Sequence, residues 1–308
     1  MRQTACSWVE SNVVAESSII GENSTWIRRG TRIVQSIIEE GVFVGFRCRV
    51  EHTRLHHSLM LGARCMLLGT KESPITVGPF CWLGGGVIVE KGVHIGEGAI
   101  IGAGSHVISD IPAYTIAVGQ PAKVLKVREI ERDEAPGFSD FLAHIRNQPI
   151  SAPNAVGAQI GQRAFITACL SAGTDFRMGE DGILIGQKNE NNEGGIVAGQ
   201  HVSLGKQVIL EALGGIRIGD ATRIGDDVLI MTTTHDYGLL SLPQLRRPVS
   251  IGSNVEIGHG SIVIGGVTIG NGATILPGSL VIRDVKTNET VSGVPARPCL
   301  HDGMNSWN

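Results

Sequence analysis

Residues 77–107 read VGPFCWLGGGVIVEKGVHIGEGAIIGAGSHV, with an apolar residue at every sixth position: Val77, Leu83, Val89, Ile95, Ile101 and Val107. Glycine follows most of them. The series returns at Ile251, Ile257, Val263, Ile269, Ile275 and Val281. A spacing of six fits neither a helix, which repeats at about 3.6, nor a flat strand, which repeats at about 2. It fits a three-sided prism in which each side uses one hexad, so that about eighteen residues close one coil of a parallel β-helix. The apolar residue then points inward. The small residue after it is expected at the corner, where a bulky side chain would clash and glycine tolerates unusual backbone angles.

Working outward, the segment from Val77 to Leu125 moved along by 174 residues falls without a gap on Ile251 to Cys299, and twenty of the forty-nine positions are identical. The chain is therefore internally duplicated. Both copies end alike, as Val118-Gly119-Gln120-Pro121-Ala122-Lys123 and Ser292-Gly293-Val294-Pro295-Ala296-Arg297, and each ending carries turn chemistry that stops a coil. Upstream, Val14, Ile20 and Trp26, then Val44 and Val50, then Leu61 and Leu67 keep the sixfold step with slips between them. The second copy opens with Ile160, Ile166, Ala172, Met178 and Leu184 and continues through Ile218, Ile224 and Ile230. The polar run Gln187 to Gly195 between them reads as a loop thrown out from a corner, which repeat folds tolerate.

The expected fold is all-β: two tandem parallel β-helices over residues 1–128 and 151–308, joined by a linker at 129–150. In the linker the Pro136-Gly137 pair interrupts the pattern, and Ser139 can cap a short helix. Phe138, Phe141, Leu142 and Ile145 would share one apolar face of that helix, able to cover the open end of a coil.

Composition narrows the partners. Forty-two glycines and 4% aromatic residues in 308 suit a repeat array better than two ordinary domains. A net charge of −3 and a pI near 6.4 give no basic field for nucleic acid or anionic lipid, which leaves small molecules. Neither an apolar leader within Met1 to Glu10 nor a long apolar run elsewhere is present, so no membrane span is expected and the reading is cytoplasmic. The six cysteines (Cys6, Cys48, Cys65, Cys81, Cys169 and Cys299) are scattered and read as buried thiols, not as a disulfide framework or a zinc site.

The sixfold step fails between Ile230 and Ile251, where twenty-one residues stand in place of the eighteen that would keep register. A loop must leave the prism there. It contains Thr232-Thr233-Thr234-His235-Asp236-Tyr237 and ends in Arg246-Arg247-Pro248. The corresponding loop of the first copy is only Gly69-Thr70-Lys71-Glu72-Ser73, without a histidine.

The stretch from Pro248 (Pro-Val-Ser-Ile-Gly-Ser-Asn-Val-Glu-Ile-Gly-His-Gly) through Gly-Val-Thr-Ile-Gly-Asn-Gly-Ala to Gly-Val-Pro-Ala-Arg resembles the hexapeptide-repeat acyltransferases, the group of the galactoside, maltose and xenobiotic acetyltransferases. The first copy resembles them too, through Pro74-Ile75-Thr76-Val77-Gly78 and Cys81-Trp82-Leu83-Gly84-Gly85-Gly86. The resemblance implies left-handed β-helices, a homotrimer, and an acyl-CoA co-substrate, acetyl-CoA in the first place, lying in a groove between prisms. It implies a loop histidine as general base, which falls on His235. Asp236, Tyr237 and Arg246, with Arg247, would then line the acceptor side. The family's CoA contacts fall on His259, Pro277, Ile282, Arg283 and Arg297, with Glu256 in place of the usual tryptophan and Pro277 in place of the usual alanine. In the first copy Trp82, Gly85, Ala103 and Lys123 keep the groove pattern. The implied activity is O- or N-acyl transfer to a small molecule. Because only the second copy's loop holds a histidine, the second array (151–308) is expected to do the chemistry, with one competent site per chain, and the first (1–128) to be structural, degenerate or a binding unit.

Two other readings stand beside it. His52, His56 and His57 resemble part of the three-histidine zinc site of the γ-class carbonic anhydrases, although a third ligand is not evident and polar corner residues account for them better, so no metal is expected. A noncatalytic scaffold built from both arrays is the other, and His235 argues against it.

Overall fold

The computed structural model describes residues 8–131, 158–186, 194–240 and 242–299. Every regular element among them is a short β-strand. The helix expected around Ser139, Phe138, Phe141, Leu142 and Ile145 lies outside the described residues, as do Cys6 and residues 187–193 of the polar loop. The chain forms two compact units. One is Met1–Gln148 with His235–Pro243, and the other is Pro149–Thr234 with Gln244–Asn308. The excursion expected within the second array therefore groups with the first.

In the first unit three stacks of parallel strands form the sides of a prism. One side runs from Trp8–Val9 through Met60–Leu61, Trp82–Leu83 and Ile100–Ile101, and ends in an antiparallel hairpin of Thr115–Gly119 and Ala122–Val127. The second unit repeats this plan from Gln159–Ile160 to the hairpin of Thr290–Gly293 and Ala296–Pro298. With about 14 turns among the described residues, the architecture is that of tandem β-helices. Leu83 lies beside Ile101 and Val89 beside Val107, so one coil is eighteen residues there. In the earlier coils Ile27 pairs with Val44 and Ile33 with Val50, one residue fewer, which is the origin of the slips.

The sixfold series is the core. Val77, Leu83, Val89, Ile95, Ile101 and Val107 are all 0% exposed, and their second-copy counterparts from Ile251 to Val281 are also buried. Each coil hands its inward side chains to the next, and burial at about 25 cal/mol per Å² of apolar surface drives the stacking. The glycine after the inward residue is there for space and not for backbone angle. A Cβ on Gly84 would stand 2.6 Å from the Ala103 nitrogen of the next coil. Left-handed angles fall three residues after the inward position instead, at Phe80, Gly86, Gly92, Gly98 and Gly104.

The outward residues of the two copies differ. On the first-unit side already traced, Trp8, Trp26, Phe43, Met60, Trp82, Ile100 and Ile116 stand in one register and are all apolar. The same positions of the second unit are Gln159, Arg177, Ser203, Arg223, Glu256, Thr274 and Thr290. An apolar outer column must be covered; a polar one can face water.

The register also shows where the His235 loop leaves. Ile218 pairs with Ile251, thirty-three residues on, where a plain coil takes eighteen. The gap from Ile230 to Ile251 therefore spans one side of the prism, not three, and fifteen extra residues leave it.

Candidate active site

The foot of the loop is fixed by a carboxylate inside the second unit. Glu211, on the strand Ile209–Glu211, accepts the backbone N–H groups of Thr232 and Thr233 and the Thr233 hydroxyl at one oxygen, at 3.0, 3.0 and 2.8 Å. Its other oxygen accepts the Leu213 N–H at 2.8 Å. The residue as a whole is half-buried, but its carboxyl end is enclosed. Desolvation pushes that group above the ordinary carboxylate value, while the N–H and O–H donors oppose the shift. Beyond the foot, Thr233–His235 pairs with Gln244–Arg246, so the loop leaves and returns as a short ladder.

The excursion itself is held in the first unit. Leu242 is 3% exposed and clusters with Met60 and Ile100, with Phe43, Trp82, Ile116 and Tyr237 packed around them. It thus covers part of the apolar outer column. Arg128, just past the first hairpin, donates from Nε to the Tyr237 carbonyl at 2.7 Å and from Nη2 to the Leu239 carbonyl at 2.6 Å. Glu131 donates its backbone N–H to the Gly238 carbonyl at 2.9 Å.

These contacts bring His235 against an aromatic wall. Its ring centroid lies 5.5 Å from that of Trp82, and Tyr237 stands at the same distance on Trp82. The His235 Nδ1 lies 2.6 Å from the Leu242 carbonyl oxygen. A carbonyl only accepts, so Nδ1 carries the proton and Nε2 of the neutral ring keeps its lone pair. Enclosure of the ring pushes its pKa below the ordinary value of 6.5, and the bond to Leu242 opposes that shift. The arrangement is a neutral imidazole with a fixed tautomer and a basic nitrogen at neutral pH, which is what proton abstraction from a hydroxyl or amine requires.

Of the other residues singled out in the sequence, Tyr237 is brought to His235 through Trp82, whereas Asp236 is engaged locally, its Oδ1 accepting the Gly238 N–H at 2.9 Å. Arg246 ends the returning strand, and Arg247 donates its backbone N–H to the Thr232 carbonyl at 2.7 Å. The CoA candidates lie in the second unit. His259 and Pro277 are exposed on successive coils, where the His259 carbonyl accepts the Gly278 N–H at 2.8 Å. Ile282, Arg283 and Arg297 are exposed at its last coil and hairpin. Gly84, beside Gly85, backs onto Ala103 in the first unit, one coil below which the chain continues to Lys123.

Two of the three histidines of the zinc alternative are engaged otherwise. His56 pairs with Glu39 at 3.1 Å, the His57 backbone donates to the same carboxylate, and the His57 ring packs edge-on to Phe80. Among the described residues no group of three or more His, Cys, Asp or Glu is placed to hold a metal ion. His52 lines a groove of about 660 Å³ beside the short first-copy loop, with Ile19, Ile37, Arg54 and Lys71. Cys48, Cys65 and Cys81 are buried free thiols, and burial pushes the Cys81 thiol up to about 12. No helix among the described residues is long and apolar enough to cross a membrane.

Three residues important to this geometry were not singled out from sequence. Leu242 and Arg128 carry no local pattern, because Leu242 packs on Met60 and Ile100 and Arg128 holds Tyr237 and Leu239, all more than a hundred residues away. Glu211 had one signal, a lone carboxylate at the end of the apolar run Val208-Ile209-Leu210.

Comparison with known proteins agrees with the repeat. The bacterial transferase hexapeptide model, six repeats long, matches residues 74–109 and 248–283. Over these two segments the chain is similar to the bacterial transferases built from hexapeptide repeats. A Staphylococcus aureus protein named as an acetyltransferase is 54% identical over 63 residues, which is 20% of this chain and 31% of that protein. A Schizosaccharomyces pombe protein so named is 53% identical over 60 residues, 20% of this chain and 28% of its own. The chain thus spans about a third of the length of these relatives. Among solved structures, a mutant GDP-perosamine N-acetyltransferase from Caulobacter crescentus, in complex with CoA and GDP-perosamine, is 29% identical over 40% of this chain and 58% of its own, with a TM-score of 0.32.

Proposed function

We propose that this chain transfers an acyl group, acetyl in the first instance, from acyl-CoA to a hydroxyl or amine of a small molecule, with His235 as general base. The observation that carries the reading is the His235 ring itself: Nδ1 tied to the Leu242 carbonyl, Nε2 left as acceptor, and the ring set on Trp82. In the proposed step Nε2 takes the proton of the acceptor O–H or N–H as that atom attacks the thioester carbonyl. The C–S bond then breaks, CoA leaves as thiolate, and the proton on His235 passes to it. The base contributes roughly 10²–10⁴-fold to such a step. Kinship with acetyltransferase-named proteins over the 63-residue match supports the acyl donor.

Two residue sets are proposed for the thioester. His259, Pro277, Ile282, Arg283 and Arg297 rest on their position in the repeat, the two exposed guanidiniums being suited to CoA phosphates. Trp82, Gly85, Ala103 and Lys123 rest on the same pattern and on the contact of Trp82 with His235. Tyr237, Asp236 and Arg246 are proposed for the acceptor side, where the Trp82 and Tyr237 rings offer apolar faces to a compact acceptor such as a sugar. The homotrimer implied by the family and the cytoplasmic location read from the sequence belong to this proposal as well.

The test is a screen of acyl-CoAs against pooled hydroxyl and amine acceptors, followed by release of free thiol. Thiol release that depends on an acceptor supports the reading, and its absence across both pools rejects it. With the acceptor in hand, Trp82→Leu against the Arg283→Ala, Arg297→Ala pair separates the two grooves by which one raises KM for the acyl-CoA.

A further inference from the structure

We propose that Arg128 is a positioning residue for His235: it holds the turn whose carbonyl orients the imidazole. This inference rests on the reading of His235 as the base. Arg128 stands 107 residues earlier in the chain and is 4% exposed. Its backbone is anchored to the first β-helix, donating its N–H to the Tyr114 carbonyl at 2.7 Å. Its guanidinium spans three carbonyls. Nη1 donates to Gly98, at a coil corner, at 2.9 Å, while Nε and Nη2 donate to Tyr237 and Leu239 in the loop.

A short relay leads from there to the ring. The Leu239 carbonyl that accepts from Arg128 also accepts the Leu242 N–H at 3.2 Å, and the Leu242 carbonyl accepts Nδ1–H of His235 at 2.6 Å. Fixing Leu239 fixes the turn, the turn fixes the Leu242 carbonyl, and that carbonyl selects the tautomer that leaves Nε2 basic. The planar fork of a guanidinium reaches all three carbonyls at once, and a lysine ammonium cannot reproduce that geometry. Charge-assisted bonds of this kind outweigh ordinary loop contacts. Arg128 does not touch the reacting atoms.

The test compares Arg128→Ala and Arg128→Lys with the unaltered full-length chain. Arg128→Ala is expected to lower kcat by roughly 10–100-fold through misplacement of the base, with KM for acetyl-CoA changed about twofold at most, and added guanidinium is expected to restore part of the rate. Amide exchange is expected to quicken at Leu242 and to stay unchanged at Gly84 and Gly102 of the coils. The nitrogen spectrum of the His235 ring should lose its fixed Nδ1–H tautomer. Unchanged exchange at Leu242 together with an unchanged tautomer overturns the inference. If Arg128→Ala unfolds, the coil amides lose protection as well, and the same two readings on Arg128→Lys decide. If His235→Ala turns over normally, the base reading falls, while exchange and tautomer still judge Arg128.

Discussion

At His235 burial and hydrogen bonding act in opposite directions, and burial wins. The ring is held below its ordinary value of 6.5, so the neutral base persists as pH falls past that point. The acid limb of kcat/KM is accordingly expected to have its midpoint beneath 6.5; a pH–rate profile measures it, and a midpoint above 6.5 contradicts the burial argument. Stability follows the same sign, because the unfolded histidine protonates first: the contribution of this group is full above about 6.5 and is lost as pH falls toward the folded value. Glu211 supports the loop by acceptance alone. Glu211→Gln turns an NH2 toward backbone N–H donors and is expected to cost about 1–3 kcal/mol, read as a lower denaturant midpoint, and an unchanged midpoint removes the carboxylate from the loop's support. His235 was legible in the sequence because the sixfold step fails around it. Its ring partner Trp82 was not, since 153 residues separate the two and no spacing rule connects them.

At the level of elements, the period of six marks the prism and the inward residues, because each inward position is tied to backbone geometry, and the duplication marks the two like coil endings, which the structure forms as antiparallel hairpins. Two local inferences needed correction. The glycine that follows most inward residues serves close approach between coils, while the left-handed angles sit three positions after the inward residue. The gap at Ile230 to Ile251 covers one side and releases fifteen residues, a distinction that only the register of Ile218 with Ile251 can make. Gly84→Ala tests the first point. Its new Cβ would meet the Ala103 backbone at 2.6 Å, and the expected loss is about 1–3 kcal/mol by overpacking, seen as a lower unfolding midpoint. Undiminished stability would mean that the coils separate freely there.

For the molecule as a whole, duplication has been followed by divergence of the outer surfaces. The first copy keeps an apolar outer column that includes Trp82 and has a short loop without histidine, while the second has a polar column and the long loop with His235. On the proposed reading each chain has one competent site, so titration calorimetry with CoA is expected to give one molecule bound per chain. Two per chain would mean that both copies bind independently. Composition indicated a repeat protein, and the loops already set the two copies apart; the contrast between an apolar and a polar outer column shows only in which outward residues share a register.

The most direct measurement is thiol release from acetyl-CoA, with an acceptor found by screening, by the full-length protein and by His235→Ala. An imidazole acting as general base predicts a fall in turnover of roughly 10²–10⁴-fold with the fold retained. Equal turnover by the two proteins would contradict the account.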